Sequence, residues 1–197
     1  MKRYTKKIPD EVRIWLHQRG LSDEVITQRE LGYASFYGFN WITLPVRNEE
    51  NEILFFKLRR DPSDTSGNRY AYYPKGPASI YGISSLYSLS ERSPSLLPPK
   101  SICICEGEFD QILLDSKGIP TITSTSGATT FPDEWIEKFS DVENIYFCFD
   151  NDEVGVRSSL KLQERFSLRF PEKSLFHISL PPEMGKDVTE FMQNGGI

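Results

Sequence analysis

Acidic residues mark the points where buried-looking runs give way to polar sequence. Glu106 follows Ser101-Ile-Cys-Ile-Cys105, Asp150 and Asp152 follow Ile145-Tyr-Phe-Cys-Phe149, and Asp187 follows Ser174-Leu-Phe-His-Ile-Ser-Leu180. Apolar runs without alternation read as strands covered on both faces, the pattern of a mostly parallel sheet. In open α/β sheets the ligand crevice lies beyond the carboxyl ends of the strands, so acids from three segments are expected to converge there. Left alone they would repel and raise one another's pKa. A divalent cation removes that penalty, and the pattern predicts a magnesium site.

The expected element order agrees with such a sheet. Strand 101–105 feeds a helix from Phe109 to Lys117 closed by Gly118, and a short strand 121–123 leads into the small-residue loop Ser124-Thr-Ser-Gly-Ala128. A helix near 133–139 precedes strand 145–149. A long amphipathic helix, roughly 154–170, stops at Pro171, and strand 174–180 and a helix from Val188 follow. This alternation requires parallel strands with helices on both faces.

The front of the chain reads differently. Val12, Trp15 and Leu16 fall at helical spacing ahead of Gly20, and Ser22 is placed to cap a second short helix. Trp41–Arg47 and Glu52–Arg60 flank the polar turn Asn48-Glu-Glu-Asn51 as a hairpin, with Lys57 and Arg59 on one face. Residues 69–81 form a Tyr-rich extended stretch. The expected division is a small α+β basic lobe over 1–83, a Ser- and Pro-rich linker over 84–100, and an α/β domain over 101–197.

Bulk properties narrow the function classes. No apolar run approaches the ~20 residues that cross a bilayer, and the basic start Met1–Lys7 has no apolar segment behind it to make a secretory signal. Cys103, Cys105 and Cys148 all lie in expected buried strands, which fits reduced thiols and a cytoplasmic setting. Zinc is not expected, since there is no C-x-x-C and His17 and His177 are remote from these cysteines. The net charge of −5 conceals a split: residues 1–75 carry 13 Lys/Arg against 10 Asp/Glu, and residues 76–197 carry 10 against 18. That split suits a phosphate-binding wall and a metal site, or simply an ordinary solvated surface.

Three motifs carry a resemblance. Cys105-Glu-Gly-Glu-Phe-Asp110, Phe149-Asp-Asn-Asp-Glu-Val-Gly155 and Gly185-Lys-Asp187, in this order and strand context, resemble the TOPRIM domain shared by DnaG-type primases, topoisomerases and some nucleases. Arg19–Ile26, Leu31-Gly-Tyr33, the basic hairpin and Ile80-Tyr-Gly-Ile83 look like the basic lobe of bacterial and phage primases. The wording of the motifs is closer to phage primase-helicases and Twinkle than to cellular DnaG. The resemblance implies a primase catalytic core that synthesises short RNA primers from ribonucleoside triphosphates on a single-stranded DNA template, using Mg2+ or Mn2+. It also implies two candidate partners, a replicative helicase and a separate zinc-binding module. Neither a zinc module nor a G-x-x-x-x-G-K-[ST] loop is present in this sequence.

The resemblance makes Glu106, Asp150 and Asp152 the catalytic metal-binding set, with Asp187 and Asp110 as further candidate metal ligands. Lys57, Arg59, Arg60, Arg69, Lys75 and Lys186 are candidates for triphosphate and template contacts, since guanidinium groups clamp phosphate bidentately and lysines act as point charges. Tyr70, Tyr72 and Tyr73 are interleaved with them as stacking candidates. Plainer roles stay open: Asp152 as a helix N-cap, Asp187-Val-Thr-Glu190 as a capping box, Ser126-Gly127 as a tight turn, and the cations as a solvated hairpin edge. Two other functions also stay open, a TOPRIM nuclease or topoisomerase-type subunit and a non-catalytic nucleic-acid-binding module.

Overall fold

The computed structural model describes residues 7–89, 96–127 and 129–196. Residues 1–6 of the basic start, part of the 84–100 stretch and Ala128 of the small-residue loop therefore lie outside the described residues. The chain divides into two compact units at Pro77/Ala78.

The first unit begins with α1 (Asp10–Gln18) and α2 (Asp23–Gln28). Gly20 turns the chain out of α1 at φ 80°, and the Ser22 hydroxyl caps α2 by accepting the Val25 amide. Strands β1 (Gly32–Phe36), β2 (Phe39–Arg47), β3 (Ile53–Arg60) and β4 (Tyr70–Tyr73) follow as one antiparallel sheet in sequential order. The expected hairpin is β2–β3, with a register shift at Val46/Arg47 and Asn51 in the left-handed region at φ 64°. β1 was not anticipated, because its small residues Gly32, Ala34 and Ser35 lack a strand signature and it is defined by pairing with β2.

The second unit contains β5 (Ile80–Tyr81), α3 (Ser84–Tyr87), β6 (Ser101–Cys105), α4 (Glu108–Ser116), β7 (Thr121–Ser124), α5 (Asp133–Ile136), β8 (Asn144–Cys148), α6 (Glu153–Arg169), β9 (Ser174–His177) and α7 (Val188–Gln193). Its sheet runs β5-β7-β6-β8-β9; β7, β6, β8 and β9 are parallel, and β5 joins antiparallel at the edge. Two boundaries therefore differ from the sequence expectation. Ile80–Tyr81 belongs to the second unit's sheet rather than to the front lobe, and α3 lies within the stretch read as linker. The reason is burial: Ile80, Ile83 and Leu86 enter the second unit's core, so the unit starts well before its first parallel strand.

That core sits on one face of the sheet. Ile102, Ile104, Ile145 and Phe147 pack there with Trp135 of α5 and with Leu162 and Phe166 of α6. Phe166 lies 4.8 Å from Phe139 and 5.6 Å from Phe147 between ring centroids, both edge-on. Because side chains alternate along a strand, Cys103 and Cys105 turn to the other face, which α4 covers with Phe109, Ile112 and Leu113 outside that cluster. All three cysteines are free and buried, and burial pushes the Cys105 thiol well above its usual range. Among the described residues no helix is long and apolar enough to cross a membrane.

Candidate metal centre

β6 and β8 are neighbours with Cys105 opposite Cys148, so Glu106 and Asp150 leave the sheet side by side at its carboxyl edge. The Glu106 carboxylate accepts the Asp150 amide at 3.4 Å, and its own carbonyl accepts the Thr123 hydroxyl from β7. Gly155 makes this approach possible. A Cβ there would stand 2.4 Å from the Asp150 carbonyl oxygen and 2.9 Å from Glu106 Oε2.

The other acids are brought in by capping and by a stitched loop. Asp152 sits in the bend after β8 and N-caps α6, its Oδ1 accepting the Gly155 amide at 2.7 Å. Asn151 donates its backbone amide to the Lys186 carbonyl and its side-chain amide to the Leu180 carbonyl, which ties the D-x-D loop to the segment between β9 and Asp187. Asp187 N-caps α7 through the Glu190 amide, and Glu190 returns a bond to the Lys186 amide. Asp110, in the first turn of α4, accepts the Thr189 hydroxyl of α7 at 3.0 Å. The capping roles are thus realised, and each uses a single carboxylate oxygen.

Charge at this edge is uncompensated. Asp150 is pushed up to about 7, first by burial and then by the like charges of Glu106, Asp110, Asp187 and Asp152. Burial also raises Glu106, opposed by the Asp150 amide and reinforced by Asp152. Among the described residues no lysine or arginine pairs with Glu106, Asp150, Asp152 or Asp187. Nor, among the described residues, do any three His, Cys, Asp or Glu side chains stand close enough together to hold a metal ion. Hard oxygen donors and clustered negative charge are the chemistry that a divalent cation accepts when it keeps several waters and takes only one or two carboxylates. Thr123, Asn151 and Thr189 were not foreseen. Their part is to orient the acids across elements, and no local pattern reports that.

The cations of the first unit divide by environment. Lys57 and Arg59 share a face of β3 as expected, 4.8 and 5.4 Å from the Tyr70 ring, and Arg59 also lies 5.5 Å from the Trp15 ring. Burial lowers the pKa of Arg59. Arg60 points elsewhere: it is 4% exposed, lies 3.6 Å over Phe39 and 4.4 Å over Trp41, pairs with Asp64 and donates to the Asn68 carbonyl. These contacts occupy Arg60 in holding the 61–69 loop. Arg69 and Lys75 are exposed, and Tyr72 and Tyr73 pack on Phe55 and Phe36. In the second unit Lys186 is exposed beside Glu190, and Gly127 at φ 86° makes the Ser126-Gly127 element a turn.

Residues 100–174 match the Toprim domain. The chain is 28% identical over 125 residues to a DNA primase of Thermotoga maritima, covering 62% of this chain and 21% of that protein. It is 25% identical over 214 residues to a DNA primase of Neisseria meningitidis, covering 92% of this chain and 36% of that protein. It therefore spans a fifth to about a third of the length of these relatives. The structure of the Aquifex aeolicus primase, comprising zinc-binding and RNA polymerase domains, superposes with a TM-score of 0.73 at 17% identity. That match covers 95% of this chain and 53% of that one. The chain thus has the mixed α/β fold of a primase catalytic core with a TOPRIM domain.

Proposed function

We propose that this chain is the catalytic core of a DNA primase, joining ribonucleotides into short RNA primers on a single-stranded DNA template by metal-dependent nucleotidyl transfer. The observation that carries the reading is the approach of Glu106 and Asp150 to three further acids at one sheet edge, where no cation among the described residues pairs with the half-buried Asp150. Similarity to DNA primases over most of the chain supports it.

Glu106, Asp150 and the uncapped oxygens of Asp152 and Asp187 would hold magnesium or manganese, with Asp110 completing the set. Bound there, such a cation would supply Lewis-acid activation of a primer hydroxyl and charge neutralisation for a leaving pyrophosphate. The protein's own contribution is positioning. The Asp150 amide and the Thr123 hydroxyl hold Glu106, Thr189 holds Asp110, and the two caps fix Asp152 and Asp187, so the acids need little reorganisation when charge arrives. Arg59, Arg69 and Lys75 are the proposed triphosphate and template contacts in the first unit, with Lys186 in the second; Lys57, only 7% exposed, is held in the sheet. Arg60 is better assigned to structure. A replicative helicase and a separate zinc-binding module are the proposed protein partners, in the cytoplasm.

The test is primer synthesis by the purified chain from ribonucleoside triphosphates on single-stranded DNA, with magnesium or manganese. Short RNA products that vanish in Asp150→Asn support the proposal. Cleavage of DNA without triphosphates would instead assign the acids to a nuclease.

A further inference from the structure

A groove of about 390 Å³ runs along α6, starting two residues beyond the Asp152 cap. Its floor is apolar: Phe131 and Leu162 are nearly buried, while Val154 stays 60% exposed. Thr129 and Ser158 contribute hydroxyls to the wall. The edge is formed by Arg157, Lys161 and Arg165, and among the described residues no carboxylate lines the groove, although the second unit is strongly acidic.

The spacing of the three cations is regular. Residues four apart on a helix are separated by about 6 Å along its axis, comparable to the step between successive phosphates of a nucleic-acid strand. Two of them are held only lightly. Arg157 pairs with Glu153 across one helical turn, both largely exposed, and Arg165 pairs with the exposed Asp133. Such surface pairs contribute little and exchange readily for phosphate. Lys161 makes no ion pair among the described residues.

The occupant follows from the lining. Three cations, two of them in exchangeable surface pairs and none facing a carboxylate in the groove lining, select an anion, and an apolar floor beside them suits the flat face of a base or sugar. The volume holds about one nucleotide unit, so the neighbouring phosphates would lie along the cationic rim rather than inside the groove. We propose that this groove seats the sugar–phosphate backbone of a nucleic-acid strand next to the acid cluster, with Arg157, Lys161 and Arg165 each addressing a phosphate. Only the identity of that strand, template or growing primer, rests on the primase reading.

The test measures binding without synthesis. Anisotropy of a fluorescein-labelled oligo(dT) is recorded in EDTA at several salt concentrations for the wild type, Lys161→Glu, Lys161→Arg and the Arg157→Gln/Lys161→Gln double variant. Thermal melts establish that each is folded. Lys161→Glu is expected to weaken binding at least tenfold and Lys161→Arg to retain it. The double variant should lower the salt slope by about 0.7 for each phosphate that is no longer neutralised. Unchanged affinity and slope in folded variants would overturn the proposal and leave the groove to a protein partner. A wild type that binds through this edge but makes no primers defeats the primase reading alone. One that makes primers while Lys161→Glu binds normally defeats the groove alone.

Discussion

The Asp150 amide donates to the Glu106 carboxylate across the carboxyl edge of two adjacent parallel strands. One bond therefore couples the two acids closest to the proposed chemistry and leaves their negative charges to be balanced from outside the protein.

Removing one charge should make the metal-free fold easier to hold. Asp150→Asn is expected to raise the melting temperature in EDTA by a few degrees, because a carboxyl raised by burial and four like charges becomes neutral. The same variant should lose primer synthesis and most of the stabilisation that magnesium confers. Parallel melts with and without magnesium, beside a synthesis assay, check both halves.

The pH dependence has a definite sign. Asp150 titrates near 4 when unfolded and at about 7 when folded, so between those values the native state binds the additional proton. Metal-free stability should therefore decline as pH rises from about 4 to 7 and level off above. Magnesium should flatten this decline, and Asp150→Asn should remove its contribution even in EDTA. Denaturant midpoints across that range would show it.

Gly155 lies in the first turn of α6, where alanine would ordinarily be favoured over glycine by up to ~1 kcal/mol. Here the added Cβ would meet the Asp150 carbonyl at 2.4 Å, a backbone atom that cannot rotate away. Gly155→Ala is expected to lower stability by ~1–3 kcal/mol and to reduce activity at least tenfold by displacing Glu106 from Asp150. Activity should remain low at temperatures where the variant is fully folded.

The arginines of the first unit should separate into two behaviours. Arg60→Ala removes a buried guanidinium from Phe39, Trp41 and Asp64 and is expected to cost ~2–4 kcal/mol of stability. Arg69→Ala, at an exposed position, should change stability by less than ~0.5 kcal/mol yet weaken nucleic-acid binding. Urea melts combined with oligonucleotide titrations distinguish the two.

Much of the second unit could be read locally. Ile102, Ile104, Ile145 and Phe147 lie in uninterrupted apolar runs, and the acids after them are placed by strand direction alone. The caps at Asp152 and Asp187 were equally legible, since capping is a three-residue interaction. Other features depend on remote pairing: β1 is defined by β2, Ile80–Tyr81 by β7, and the stacking of Arg60 on Phe39 and Trp41 by the β2–β3 register.

By itself, then, the amino-acid order determined that β6 and β8 are largely buried strands and which acids follow them, because periodicity and capping act between neighbours. It misjudged 174–180, where β9 is a partly exposed edge strand that ends at His177. Only the tertiary structure decided that Glu106 abuts Asp150, that Thr189 reaches Asp110 from 79 residues away, and that Arg60 is buried while Arg69 is free to meet solvent. Those outcomes depend on strand register and on which surfaces exclude water, and both are properties of the assembled sheet rather than of any segment.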